Sequence, residues 1–443
     1  MIGVLTKKQN IEQKKAHKLF AVVMCLFVAM FFARNVFSIQ FPVALYLGAV
    51  AGIAIVCSRE ELIALVVSFI PLSVGFQYKY AILLCIAIYI FKYAKTIRFP
   101  KYALVVVAMF VWELLHAFVG ELSLVESLRD FSELIFLAIV LMAEDFNFSD
   151  GLVERTLAYC TFAAVSIVFL VSLRDIRYDL VEFLESGIRF GLADTEAVNF
   201  GFNYNQNGLG LLCNMGIAAI LLLRHNKQAK LWDYAVIATL FFIGLMTISR
   251  SFIICFVLII VLYVFTQTGS LKKKMTSLLG MAALLVALVL IASVVMPQAF
   301  SNLEARFMVE DVTNGRNDLF AFYNKHILSD WKHLIFGVGL QNYADKVGRI
   351  HNVFTNVSHN SIQEAVVVWG IVGVVLLGYL VYFIIKRARC SVKKVLIVNY
   401  IPLILLFVQS LSGQLLSAGK ELLIFTFIYA CFCNSGNRED IQK

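Results

Sequence analysis

Fourteen apolar runs punctuate this chain, and their repetition restricts its fold more than any other feature. They lie near 19–33, 41–57, 62–75, 79–91, 102–119, 130–143, 157–173, 207–223, 231–248, 252–266, 276–296, 363–385, 395–411 and 421–433. Backbone placed in hydrocarbon must satisfy its own N–H and C=O groups, so runs of this kind fold as helices. Composition agrees, with 60% of the 443 residues hydrophobic and 15% charged. An ordinary soluble domain has about 45–50% and about 25%. A soluble enzyme, a nucleic-acid binder and a disordered scaffold are excluded on that ground. The expected fold is an all-α polytopic membrane protein with fourteen transmembrane helices. Several runs fall short of the ~20 residues that cross a ~30 Å hydrocarbon core. Runs 62–75 and 79–91 are the weakest, and reading them as a re-entrant pair gives twelve spans.

The 38 Lys and Arg against 29 Asp and Glu leave a charge of +9. In a membrane protein, Lys and Arg collect in cytoplasmic segments. Lys7, Lys8, Lys14, Lys15 and Lys18 put the N-terminus inside, and alternation then places 24 of the 38 basic residues inside. The charge therefore reads as orientation, with both termini cytoplasmic, and not as a nucleic-acid patch. No small-x-small cleavage site precedes Arg34, so the first run is expected to stay as a signal-anchor. The chain divides into a cytoplasmic start (1–18), a first set of spans (19–173), an outer loop (174–206) and central spans (207–296). A large outer loop (297–362) before the twelfth span, the last spans (363–433) and a cytoplasmic tail (434–443) follow.

All nine cysteines fall in spans or on the cytoplasmic side, Cys431 and Cys433 near the inner end of the last span. Disulfides and CxxC zinc sites are therefore not expected. The large loop holds His326, His333, His351 and His359 but no HExxH, and no DxD occurs anywhere, so no metal is expected. Within that loop, Leu319, Phe322, Tyr323 and Ile327 fall on one face of a helix expected over 316–329.

Polar residues gather at three outer mouths of the spans. The first is Arg189, followed by Asn203-Tyr-Asn-Gln-Asn-Gly-Leu-Gly210 entering a span; the second is Ser249-Arg250-Ser251 between two spans. The third is His359-Asn360-Ser361 with Glu364, leading to Gly370-Ile-Val-Gly373. A charge near hydrocarbon is costly and by default functional, and the guanidinium fork of Arg250 suits phosphate oxygens. The alternative is an arginine that snorkels and anchors a tight hairpin. Arg316 opens the loop helix, where free N–H groups favour anions; it could equally form a surface pair with Asp311 or Asp318. His359 can take a proton from a hydroxyl at neutral pH or serve as a structural hydrogen-bonder. Asn205 and Asn207 suit a helix cap and could at the same time hold sugar hydroxyls or phosphate oxygens.

Taken in order, these pieces resemble the O-antigen ligase and Wzy-type polymerase superfamily of bacterial membrane glycosyltransferases. The resemblance rests on Arg189, Asn205-Gln-Asn-Gly-Leu-Gly210, Ser249-Arg250-Ser251, Asn314-Gly315-Arg316, Phe336-Gly-Val-Gly339 and His359-Asn-Ser through Gly373. It covers roughly residues 186–385. Gln206 departs from it, standing where members often carry proline. The resemblance implies a metal-independent transferase, without cofactor, that uses an undecaprenyl-diphosphate-linked glycan at the outer face of the bacterial cytoplasmic membrane. Arg250 and Arg316 would bind the diphosphate and stabilise it as it leaves, and His359 would be the base. Arg189, Asn205, Asn207, Asn360 and Glu364 would contact substrate.

The expected activity is polymerisation of lipid-linked oligosaccharide repeat units into O-antigen, capsule or exopolysaccharide. Its partners would be the lipid-linked glycan, the bilayer and a chain-length regulator, with no nucleic acid. A ligase that moves finished glycan to lipid A-core shares the same motifs. A lipid-linked sugar flippase is the alternative of another class, and it predicts charges midway along the spans.

Overall fold

The computed structural model describes residues 2–72, 77–96, 103–119, 151–175, 181, 190, 206–225, 230–267, 270–295, 297–308, 316–391 and 397–411. Every regular element among the described residues is a helix, so the all-α expectation holds. The first part comprises α1 (Ile2–Phe37), α2 (Val43–Val56), α3 (Arg59–Ser68), α4 (Gln77–Tyr93), α5 (Ala103–Val119) and α6 (Leu152–Asp175). Next come α7 (Gln206–Arg224), α8 (Leu231–Met246), α9 (Arg250–Thr266) and α10 (Leu271–Val295). The long loop folds as α11 (Pro297–Met308), α12 (Arg316–Ser329), α13 (Trp331–Phe336) and α14 (Tyr343–His351). The last two are α15 (Ser361–Ser391) and α16 (Ile401–Ser410).

Among the described residues, four stretches are long and apolar enough to cross a membrane: Lys18–Phe37, Leu152–Leu173, Gln206–Arg224 and Ser361–Tyr382. Val43–Val56, Leu104–Phe118, Leu231–Met246, Arg250–Thr266 and Val398–Ser410 are apolar but shorter. The expected spans 130–143 and 421–433, with Cys431 and Cys433, lie outside the described residues. Run 62–75 overlaps α3, whose 10 residues make about 15 Å of helix, half of a ~30 Å hydrocarbon core. A capping box starts α3: the Glu61 N–H donates to Ser58 Oγ at 3.3 Å, and the Ser58 N–H donates to the Glu61 carboxylate at 2.8 Å.

The core centres on α7, which packs against α6, α8, α9 and α16. Its residues from Leu209 to Ile220 are all buried, as an all-round apolar sequence demands. Two polar ties fix it in place. Asn214 Nδ2 donates to the Phe252 carbonyl on α9 at 3.1 Å. Arg224 meets the buried Asp233 of α8 with two nitrogens, at 2.7 and 3.1 Å.

A second group forms around α15, which packs against α5, α12 and α13. The run 363–385 is not one straight helix, because the backbone leaves helical values at Gly370 (φ 63). Such a break frees carbonyls that the next turn would have used. Here the N–H groups of Val338 and Gly339 take the Val367 and Val368 carbonyls, at 2.9 and 2.8 Å. Gly337 (φ 75) lies against the backbone of Val368 and Gly370, and Gly370 against that of Ile335 and Phe336; a Cβ on either glycine would collide with main chain. Two glycine motifs read separately along the chain thus meet as one joint.

The buried Glu113 of α5 locks that joint. Its carboxylate accepts the Leu340 N–H and the Trp369 Nε1–H, each at 2.9 Å. Next to it, Trp112 Nε1 donates to the Trp369 carbonyl at 3.2 Å, and His116 pairs with the Phe336 carbonyl at 2.9 Å. Charge-assisted bonds of this kind are roughly twice as strong as neutral ones.

Candidate functional site

Two polar groups come from the expected residues. The first forms where α8 turns into α9. After Met246 the chain reverses through Thr247 and Ile248, and Ile248 is held at φ 48. A β-branched residue at positive φ is a genuine outlier, and strain of this kind concentrates at functional sites. The tight turn leaves Arg250 as the first residue of α9. Ser249 Oγ donates to Asn207 Oδ1 at 2.9 Å, and the Ser249 and Ser251 hydroxyls lie 2.9 Å apart. Asn207 at the start of α7 and the Ser249-Arg250-Ser251 segment are thus one cluster, although 42 residues separate the bonded pair. The N-terminus of α9 adds a partial positive charge, which suits an anion.

The second group forms around the segment 356–360, which leads into α15. Arg316 is the first residue of α12 and lies close enough to His359 to act on its charge. Burial first, and the Arg316 guanidinium second, hold the His359 imidazole below its ordinary pKa. Both effects disfavour the cation, so His359 is a neutral base at pH 7. Arg316 and Arg250 share one device, a guanidinium at the first turn of a helix.

The frame around His359 is hydrogen-bonded throughout. Tyr343 on α14 accepts the Ser358 N–H at 2.7 Å and donates its own proton to the Glu364 carboxylate. Burial, the nearby Glu364 and Tyr323, and that donated bond all push the Tyr343 phenol well above its usual pKa, so it stays protonated. Tyr323 on α12 donates to the Asn356 carbonyl at 2.6 Å. Gln363 accepts the Ser358 hydroxyl at 2.7 Å and donates to the Phe320 carbonyl and Asn324 Oδ1, at 2.9 and 2.8 Å. Both α12 and α14 therefore clamp the backbone on which His359 stands.

Two expected substrate contacts turn out to be engaged in this frame. Glu364 is fully buried and is taken by Tyr343. Asn360 caps α15, its Oδ1 accepting the N–H groups of Ile362 and Gln363 at 3.0 Å each. Its amide donates to the Leu411 carbonyl at the end of α16, at 3.4 Å. Because α16 also packs on α7 and α9, it is the common neighbour of the two polar groups. Arg189, Asn205, Asn314 and Gly315 lie outside the described residues.

The segment before His359 lines an open cleft of about 390 Å³ with Asp345, Arg349, Asn352, Phe354 and Thr355. That volume lies in the range of ligand clefts, roughly 300–1,000 Å³. Tyr343, Gln363 and Glu113 are contributors that spacing alone does not single out. Only Glu113 left a signal, as an acid inside the apolar run 102–119, a position that is functional or structural by default.

No protein-family model matches the chain, and no curated protein matches it.

Proposed function

We propose that this protein is a polytopic membrane glycosyltransferase that joins lipid-diphosphate-linked oligosaccharide repeat units at the outer face of a bacterial cytoplasmic membrane. What carries the reading is the Arg316 guanidinium at the start of α12, near enough to His359 to disfavour its cation. The Asn207–Ser249–Arg250–Ser251 cluster supports it as a second anion-favouring mouth.

In this reading the acceptor hydroxyl gives its proton to His359 as its oxygen attacks the anomeric carbon of the donor sugar. The bond from that carbon to the diphosphate breaks, and the diphosphate leaves with the electron pair. Arg316 and Arg250 neutralise the charge that develops on it. Preorganised donors aimed at such charge contribute about 3 kcal/mol each. The cleft beside Phe354 offers a carboxylate, a guanidinium, an amide and an aromatic face to the sugars of either substrate.

The decisive experiment is a gel of surface glycan and of lipid-linked glycan from a strain lacking the gene. A single repeat unit on the final acceptor, with no ladder, is the result expected of a polymerase. Long chains stranded on the carrier lipid would assign the chain to ligation instead. Unchanged glycans in both fractions would overturn the reading.

A further inference from the structure

Three of the seven histidines meet at the junction of α12, α13 and α14, away from His359. His326 Nδ1 and His351 Nε2 are 3.0 Å apart, and the His326 and His333 rings stack with centroids 4.2 Å apart. His326 is 0% exposed, and its Nε2 has no hydrogen-bond partner. The described residues include no group of three His, Cys, Asp or Glu side chains placed to hold a metal ion. The cluster is therefore read through its protons.

Those protons are tightly constrained. Ser329 Oγ donates to the His326 carbonyl at 2.7 Å, so it can only accept from His333 Nδ1, 3.2 Å away. Between His326 and His351 a single proton fits. With that proton on His326 Nδ1, the buried Nε2 is a bare lone pair, and an unmet acceptor is cheaper than an unmet donor. Protonating His351 turns its Nε2 into a donor and drives the His326 proton onto the buried Nε2, where nothing accepts it. A further proton on His326 places cations 3.0 Å apart and face to face with the stacked His333. Burial, then His333 and His351, hold the His326 imidazole down to about 4. These two histidines are the titratable neighbours facing it from α13 and α14; from α15 the buried Glu364 acts on Tyr323, one turn earlier on α12.

The same junction holds the two helices that clamp segment 356–360. Ring contacts of Phe322 with His351 (5.4 Å) and Tyr323 with Tyr343 (6.0 Å) continue the seam between α12 and α14. We propose that His326, His333 and His351 form an acid-sensitive latch whose protonation parts α12 from α14 and releases the segment carrying His359. Histidine clusters that flip interfaces do so at about pH 5–6. The latch is a property of the loop itself and goes beyond the reaction proposed above.

Hydrogen exchange of the full-length protein in lipid nanodiscs tests it, with rates normalised to an unstructured peptide at each pH. The expected result is a reversible loss of protection, about tenfold or more between pH 7 and pH 5, in peptides from 316–329 and 343–360. The double variant His333→Gln, His351→Gln keeps hydrogen-bonding groups without the titration, and its protection should stay constant across that interval. Equal loss in the variant, or none in the wild type, overturns the proposal. Should the variant fail to fold, histidine NMR of the wild type decides. Independent titration of the three rings near an ordinary value of about 6.5 rejects the latch, and a coupled step with His326 last supports it.

Discussion

His359 and Arg316 make opposite demands on one proton, and that opposition can be measured. The guanidinium disfavours the imidazolium, so Arg316→Ala raises the His359 pKa towards its ordinary value of about 6.5 without reaching it, because burial remains. Arg316→Lys keeps the charge and leaves that pKa nearly where it was, but loses the bidentate fork. The expected outcome is a rate loss of roughly two orders of magnitude in both variants, with the acid limb of the pH profile moving up only in the alanine variant. Wild-type activity rises as pH climbs through the depressed His359 pKa and is flat from about 6.5 upwards. A profile whose acid limb stays put in Arg316→Ala removes the coupling. His359→Ala should cost about 10²–10⁴ in rate while the protein still inserts and folds, which expression level and melting temperature report. These two residues are legible in the sequence because each stands at a local boundary, a helix start or the end of a polar loop. Glu113 is visible only as an anomaly, since its partners lie 227 and 256 residues away and no spacing rule reaches that far.

At the scale of elements, the joint between the 336–340 segment and the break in α15 holds the loop to the helices beneath it. Gly370→Ala and Gly337→Ala each add a Cβ at positive φ, costing about 1–2 kcal/mol from the backbone alone, and each also meets main chain that cannot move aside. Both variants are expected to lower the melting temperature steeply. Gly378→Ala, with open space around the new methyl group, should be neutral or slightly stabilising. Equal melting of all three would mean that the joint contributes nothing. Glu113→Gln keeps the volume but removes the charge, and it should weaken the same joint by about 1–3 kcal/mol through the Leu340 and Trp369 bonds. The helix α12 is readable from spacing alone, because Leu319, Phe322, Tyr323 and Ile327 share one face, and Tyr323 and Ile327 are buried in the structure. The break at Gly370 is not readable in that way. An apolar run ending in Gly370-Ile-Val-Gly373 and continuing beyond fits a straight helix equally well, and only the docking of Gly337 shows why the backbone turns there.

At the scale of the whole molecule, apolar runs announce helices more reliably than they announce crossings. A helix buried from its second residue on, such as α3, and a lipid-facing one both read as apolar, and only the packing around them separates the two. The helix whose crossing would matter most for the proposed chemistry is α10, which carries the Lys272–Lys274 group in its first turn and leads to the long loop. Its 25 residues make about 37 Å of helix, more than a ~30 Å hydrocarbon core. Its face exposes Leu279, Val286, Leu290, Ile291 and Val294, a surface that lipid would cover. If α10 crosses, Lys273 and Lys325 stand on opposite sides, and the positive-inside bias makes Lys273 the cytoplasmic one. Both are exposed, so each can be replaced by cysteine with little effect on the fold. Of Cys25, Cys57, Cys85, Cys160, Cys213 and Cys255, Cys25 alone is exposed, and Cys25→Ser lowers the background. A membrane-impermeant maleimide applied to intact cells, with outer-membrane access ensured, should label Lys325→Cys at once and Lys273→Cys only after the inner membrane is opened. Labelling of both from outside would put the Lys272–Lys274 group on the same side as the loop and break the alternation on which the outward placement of His359 depends. Labelling of neither until the membrane is opened would leave the loop inside, where the proposed acceptor chain cannot reach His359.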